Sequence, residues 1–583
     1  MCYIDSRLAD SAAMNALAIR RGERGAFEMF TRLLINAGRA VPSPRSCVVE
    51  RGRSRNSTPL FPVLSSLLPI HLCSPLFWLC AAFAASALCA EDWPQYRGAN
   101  HDGISTETIR TNWSAEPPRE VWKIPLDPGL SSFSVAGGKA FTLVRRPASG
   151  QDQEFCIALN ADTGAELWAS PPLGIASYPH GGVGPDDGPR STPSVDGDRV
   201  YVLTSYLRLY CLNVTNGAVV WSKDLTTEYG SNVILWQSAA SPLVEGDLVF
   251  VIADAPNQCL LAFHKSDGSE AWKGQNDVMT QATPVAATIA GVRQVIFFAK
   301  SGLVSVAPES GSLLWRYPFP FSTSTAASPV VSNDVVYCSA AYGGGAGVVQ
   351  ITSSGSQLIT REVWRTPGSN MNHWATPVLN KGYLFGIYGQ QGPGVELRCI
   401  DFTTGGTMWR QSGVGTGGGV LFVTGHVLVL TEDGNLLLVK PDSAAYNEAA
   451  RYRALDGSSN SIPGIVRCWN VPAISNGRIY ARSTYEAVCL DVGVAAPLPL
   501  KLFSTLTSGA APFQLLIGNA DGSPLDTNRA ANIEVFASTD LTLGLSGWIK
   551  LNRSLTLTNG RLSLDDTQSP ATAQRFFRVE ERP

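Results

Sequence analysis

Four short stretches of the 583-residue chain gather the side chains best suited to hold or transform a ligand. They are DDGPRSTP (186–193), LWQSAASP (235–242), MNHWATP (371–377) and RCWNVP (467–472). They supply Asp187 and Arg190, Trp236 and Gln237, Asn372, His373 and Trp374, and Trp469 and Asn470. Aromatic rings, a guanidinium, amides and an imidazole fix polar organic ligands by stacking and hydrogen bonding. The same residues also suit a packing role, with Trp236 and Trp469 filling space and Arg190 paired to Asp187. A fifth stretch, EDWPQYRGANHDGIS (91–105), holds His101 and Asp102, which could form an acid–base or metal pair or simply begin a fold.

Other chemistries have less support. The six histidines show no zinc spacing such as HxxxH, and neither a GxSxG nor a Walker motif occurs, so no metal site is expected. GGGAG (343–347) and GTGGG (415–419) do not lead into a helix that could present its N-terminus to phosphate, and read as loops where units approach closely. Seven cysteines follow Ala90, an odd number without CxxC. Cys211, Cys399 and Cys489 recur at one slot of a repeat, which reads as small buried hydrophobes. A net charge of −3 gives no basic field for nucleic acid.

The elements that must position the candidate residues follow from internal periodicity. ALNADTGAELW, CLNVTNGAVVW, AFHKSDGSEAW, SVAPESGSLLW and CIDFTTGGTMW end at Trp168, Trp221, Trp272, Trp315 and Trp409, each with a glycine four residues earlier. A weaker copy without that glycine ends at Trp364. Successive tryptophans lie 53, 51, 43, 49 and 45 residues apart, the size of a propeller blade. Each unit opens with a strand, a Gly/Asn/Asp turn and an alternating strand, as in STPSVDGDRVYVLT (191–204). Units begin near residues 131, 191, 238, 281, 325, 373, 417 and 468, and the last has no tryptophan strand. REVWKIPLD (119–127) is a tryptophan strand without a preceding unit, so Trp122 can complete the eighth blade and close the ring. The expectation is all-β: an eight-bladed β-propeller of four-stranded antiparallel blades over 119–492. The candidate residues stand just ahead of the innermost strands, around one mouth of a central funnel.

The ends differ from the ring. Residues 1–90 combine ten arginines before residue 56 with the apolar run LFWLCAAFAASALCA (76–90). That pattern reads as an N-terminal extension and signal peptide cleaved near Ala90, with translation starting later than Met1. A lead-in covers 91–118, a Pro-punctuated linker 493–504, and short alternating strands over 505–583 suggest a small C-terminal β-sandwich.

The stretches DWPQYRG (92–98), GPRSTPSVDGDRVYVL (188–203), SPLVEGDLVFV (241–251), GVRQVIFFAKSGLVSV (291–306), CIDFTTGGTMWR (399–410) and LTEDGNLLLVKPDSAAYNEAARY (430–452) resemble a known family. It is the PQQ-binding-like β-propeller repeat proteins of exported bacterial proteomes, related to the assembly lipoprotein BamB and to quinoprotein alcohol dehydrogenases. The resemblance covers residues 91–492 and implies that the lead-in packs across the propeller, with Trp93 and Tyr96 buried and Arg97 on free carbonyls. The tail is similar to C-terminal modules appended to exported bacterial proteins.

A quinoprotein dehydrogenase would hold PQQ with Ca²⁺ on oxygen ligands, beside a catalytic Asp, a stacking Trp and often a vicinal Cys pair. No Cys-Cys pair and no matching calcium or Asp motif occurs. The expected function is therefore an exported, cofactor-free scaffold or binding protein of the cell envelope. A ligand or partner, such as an envelope protein, a polar small molecule or a glycan, would bind at the funnel of a monomer. The alternatives are a PQQ-dependent alcohol or sugar dehydrogenase, and a BamB-like assembly factor whose strand edges pair with client strands.

Overall fold

The computed structural model describes residues 91–180, 187–323, 325–390, 394–456, 467–494, 498–505, 513–540, 547–552, 554–566 and 576–582. All of them lie in Ala84–Pro583, one of the two units into which the chain divides. The expected export signal lies outside the described residues.

The second repeat unit shows how the sequence makes a blade. Ser194–Asp196, Arg199–Leu203, Arg208–Asn213 and Val219–Asp224 run antiparallel in that order. Gly197, at φ +56°, turns the first hairpin in a conformation that costs a side-chain-bearing residue strain. Val200–Leu203 are buried because both faces of the sheet are covered by neighbouring units. Among the described residues, eight such four-stranded sheets follow one another between residues 119 and 491, one with an extra short strand, Gly174–Ile175. Only two short helical turns, Leu225–Tyr229 and Thr527–Ala530, interrupt the described strands. None of the described helices is long and apolar enough to cross a membrane.

The eighth sheet is completed by the early chain. Arg119–Pro125 pairs antiparallel with Glu486–Asp491, placing Trp122 opposite Cys489. Every outer strand carries a register shift beside one slot, occupied by Trp122, Trp168, Trp221, Trp272, Trp315, Trp364 and Trp409 and, in the seventh sheet, by Ala450. A β-bulge bends and twists a strand locally, and six of these seven indoles reach the next sheet. Small or slender residues stand opposite the tryptophans, among them Cys211, Cys399 and Cys489, which accounts for the recurring cysteine slot. All seven described cysteines are buried and free.

Six of these indoles donate Nε1–H to a carbonyl of the following sheet, at Ala161, Val214, Lys265, Pro308, Phe402 and Asp442, over 2.6–3.1 Å. Trp315 instead reaches Gln294 Oε1 in its own sheet. The next unit there is the long hairpin Gly345–Ser354 and Gln357–Thr366, which lacks the repeat glycine. A second belt rings the inside: the backbone N–H groups of Ser132, Thr192, Ser241, Ser328 and Val471 donate to the hydroxyls of Thr192, Ser241, Thr283, Thr376 and Ser132 in adjoining units.

The lead-in crosses one end of the ring. Trp93 exchanges hydrogen bonds with Val135, Pro94 O accepts from Val195 N–H, and Arg110 N–H donates to Val492 O. Buried Arg97 donates to the carbonyls of Thr376, Pro377 and Asp102. The glycine-rich runs are only partly loops, since they enter the strands Gly345–Ser354 and Gly418–Val423. There the missing side chains let Gly417 and Gly419 lie against Trp469 and Val471.

Toward the C-terminus, Leu500–Thr505, Phe513–Asn519, Arg561–Asp566 and Thr556–Thr558 form one sheet, and Ile549–Lys550, Ile533–Ser538 and Phe576–Glu581 another. Leu515, Ile517, Leu562 and Leu564 of the first share an apolar cluster with Ile533 and Val535 of the second.

Candidate functional site

The segments leading into the inner strands surround a cavity of about 300 Å³. Its wall takes Leu130 and Ser132 from the first unit, Arg190 from the second, and Trp236 and Ala239 from the third. Gln281 and Thr283 follow from the fourth, Ala326 and Tyr342 from the fifth, and His373 and Trp374 from the sixth. Gly418 of the seventh unit and Trp469, Asn470 and Val471 of the eighth complete the circuit. Tyr96 joins them from the lead-in, so the segment that crosses the ring also lines the cavity.

Much of the wall is one aromatic arc. Trp236 stacks on Tyr342 at 5.9 Å and 11°, and Tyr342 meets His373 edge-on at 5.1 Å. His373 lies 4.1 Å from Trp374, which lies 4.8 Å from Trp469. Offset and edge-on arrangements of this kind are the favoured aromatic geometries. Glu432 holds Trp469 by accepting its indole N–H at 2.7 Å. His373 Nδ1–H donates to Gln390 O at 2.8 Å, leaving Nε2 as an acceptor. Burial lowers the His373 pKa to about 4, so its imidazole stays neutral near pH 7.

The charge on the wall is already partnered. Arg190 Nη2 donates to both oxygens of Asp187, at 2.7 and 2.9 Å, and Nη1 donates to Trp236 O at 3.2 Å. Its guanidinium lies 5.2 Å from the centre of the Tyr178 ring, and the Tyr178 hydroxyl donates to buried Glu154 at 2.7 Å. Burial raises the Glu154 pKa above the ordinary carboxylate value.

Of the residues singled out by sequence, Arg190, Trp236, His373 and Trp469 line the cavity, as do their neighbours Trp374 and Asn470. Three others do not line it. Asp187 is wholly buried behind Arg190. Gln237 is buried with positive φ, and its backbone carbonyl accepts from Gln281 Nε2. Asn372 turns into the sheet, where it accepts from the Tyr337 hydroxyl and donates to Ile387 O. Tyr342, Gln281 and Tyr96 were not legible as wall residues. His101 is buried beside Gln95, and burial lowers its pKa to about 4, while Asp102 Oδ1 accepts the Ile104 N–H. That pair organises the lead-in.

Asn470 is 5% exposed, and neither of its amide atoms has a hydrogen-bond partner; Trp374 Nε1 is likewise buried without one. Buried polar groups in proteins are almost always satisfied, so these atoms are candidates to bond a ligand or an ordered water.

Residues 151–387 match the family described as outer membrane protein assembly factor BamB. The matched residues lie within the ring and are similar to the PQQ-like β-propeller repeats. A tetrathionate hydrolase from Acidithiobacillus ferrooxidans is 24% identical over 355 residues, which cover 56% of this chain and 62% of that protein. The match thus spans less than two-thirds of that relative's length. BamB from Moraxella catarrhalis aligns at 15% identity and a TM-score of 0.45, over 65% of this chain and 99% of its own. A quinohemoprotein alcohol dehydrogenase from Comamonas testosteroni aligns at 13% identity and a TM-score of 0.48, over 73% and 84%.

PQQ with Ca²⁺ fits the propeller's cavity poorly. Calcium takes hard oxygen ligands, usually with carboxylates among them. None of the described wall residues is Asp or Glu, and the carboxylates next to the wall, Asp187 and Glu432, are engaged by Arg190 and by Trp469 with Thr416.

Proposed function

We propose that this protein is an exported, non-catalytic binding protein of the cell envelope that takes a polar organic ligand in the propeller funnel. The unpartnered amide of Asn470 beside the aromatic arc carries this reading. The cavity is at the small end of the range for organic ligands. The match to an outer membrane assembly factor supports export and an envelope setting. The test is a thermal-shift and calorimetric screen of neutral saccharides, tetrathionate, and PQQ with Ca²⁺. At least one probe is expected to raise Tm and change tryptophan emission. If none does, the funnel is a packing feature and the reading fails.

The match to tetrathionate hydrolase supports a second reading, hydrolysis of a sulfur oxyanion, with Arg190 as the wall's guanidinium. Consumption of tetrathionate by purified protein would favour it over binding alone. Quinone absorbance and dye-linked alcohol oxidation on adding PQQ and Ca²⁺ would favour a quinoprotein instead. Co-purification with an outer-membrane complex at native expression would favour an assembly role.

A further inference from the structure

We propose that the funnel selects an uncharged saccharide, a mono- or disaccharide or the end of a glycan, over an anion. The proposal rests on the preceding reading that the cavity holds a ligand. It follows from what the wall offers and from what it has already used.

The wall's one guanidinium is already engaged, and the other basic side chains on it are the imidazoles of His180 and His373. Arg190 is the one Arg or Lys among the described wall residues, and its bonds go to both oxygens of Asp187 and to Trp236 O. An anion binding there would have to compete with the Asp187 carboxylate, whose two oxygens both accept from Nη2 in a charge-assisted pair. A small multiply charged oxyanion or a polycarboxylate would give up its hydration for a wall that is neutral on balance.

The buried polar atoms of the wall that lack a partner are neutral. Asn470 presents an unpartnered carbonyl oxygen and an unpartnered NH₂ group, and Trp374 Nε1 adds a donor. An amide side chain offers donors and an acceptor side by side, and a hydroxyl both donates and accepts, so adjacent hydroxyls on a ring satisfy it without charge. The apolar part of the wall is the arc from Trp236 through Tyr342 and Trp374 to Trp469. A pyranose carries C–H bonds on its faces and hydroxyls around its rim, which matches aromatic walls interrupted by an amide. The volume of about 300 Å³ limits the enclosed portion to a short saccharide.

The test is calorimetry with full-length protein and cellobiose, maltose and chitobiose, against tetrathionate, glucuronate and PQQ. The expected result is heat and a Tm rise with at least one neutral sugar and none with the anions. W374F keeps a ring while removing Nε1, and should weaken that sugar roughly 2- to 10-fold, the worth of one neutral hydrogen bond. N470A should weaken it about 10-fold or more, with its ligand-free Tm reporting separately on folding. Binding of tetrathionate, glucuronate or PQQ without any neutral sugar would overturn the proposal and leave the binding reading standing. Silence from all probes would overturn both. Sugar binding unchanged in both W374F and N470A would place the sugar elsewhere and overturn the proposal.

Discussion

Trp469 donates its indole N–H to Glu432 Oε1 at 2.7 Å, while Oε2 of the same carboxylate accepts the Thr416 N–H at 2.7 Å. One side chain of the seventh unit thus fixes both the rim ahead of Gly418 and the aromatic wall of the eighth. Gly417 has no side chain because a Cβ there would lie 1.9 Å from the indole. Replacing Glu432 with Gln leaves one oxygen to accept two donors, and a loss of about 1 kcal/mol is expected. E432A removes both acceptors and should cost about 2–3 kcal/mol. Denaturant midpoints measure the loss, and near-UV circular dichroism should show Trp469 losing its fixed environment in E432A more than in E432Q.

The repeat glycines can be separated from ordinary turn glycines. Gly217, at φ +70°, would bring a Cβ within 2.5 Å of the Trp168 ring, whereas Gly197, at φ +56°, has nothing within 4 Å. G197A should cost the left-handed backbone penalty alone, about 1–2 kcal/mol. G217A should cost that plus about 1–3 kcal/mol for overpacking against the indole. Equal urea midpoints for the two variants would show that the tryptophan does not wedge the neighbouring blade.

The ring was legible because its parts recur at fixed spacing. The Trp122 strand could be assigned to the eighth unit because that unit lacks a tryptophan strand, and the structure pairs Arg119–Pro125 with Glu486–Asp491. The funnel was only half legible, and Asn372 and Asn470 show why. Both amides precede an inner strand, yet Asn372 turns inward to Tyr337 and Ile387 while Asn470 lines the cavity. Strands alternate their faces, so sequence assigns a side, but rim loops have no period. Tyr342 was missed for a related reason: it sits in the turn after Val335–Ala340, away from the segment that leads into an inner strand. The hydroxyl belt had a readable signal, Ser or Thr before Pro in five units, but that pattern also suits any strand entry.

His373 should resist protonation. Its folded-state pKa is lowered to about 4 from 6.5, because burial penalises the imidazolium. Between these values the unfolded chain holds more protons than the folded one, so this group's contribution to stability rises with pH across the window. That contribution is complete above about pH 6.5 and is lost as pH falls toward 4. H373Q should flatten the stability profile in that interval relative to the parent, a comparison that cancels the opposing effect of Glu154. An NMR titration midpoint of the His373 ring near 6.5 would contradict the buried placement.

The seven described cysteines should be silent to alkylation in the folded state. All are buried, and burial pushes Cys211, Cys399 and Cys489 up to about 12 from 9. Thiolates are the reactive form, and raised folded pKa values oppose their formation. The unfolded chain loses these protons first, so their contribution to stability falls as pH rises above about 9. Peptide mapping after iodoacetamide should find none of the seven labelled before unfolding and all seven after it. Rapid native labelling of Cys211 would mean that its sheet opens beside Trp221.

Arg482 is the strongest single test of ring closure. Wholly buried, its guanidinium donates to Ser483 O, to Thr142 Oγ1 and Leu143 O of the first sheet, and to Asp127 O just after the closing strand. Gly129 makes the room, since a Cβ there would lie 2.9 Å from Arg482 Nη2. Burial without a hydrogen-bonded carboxylate lowers its pKa to about 9 from 12.5. R482A strips three buried carbonyls of a donor where the last sheet, the first sheet and the early strand meet, and should cost about 3 kcal/mol or more. R482K keeps a charge but loses the planar fork, and should recover only part of that. R451A, at a half-exposed surface pair with Glu448, should change stability by less than about 1 kcal/mol. Hydrogen exchange locates the effect: in R482A the amides of Arg119–Pro125 should lose protection before those of Arg199–Leu203. If both strands open together, the clasp between the chain ends is no weaker than any other junction in the ring.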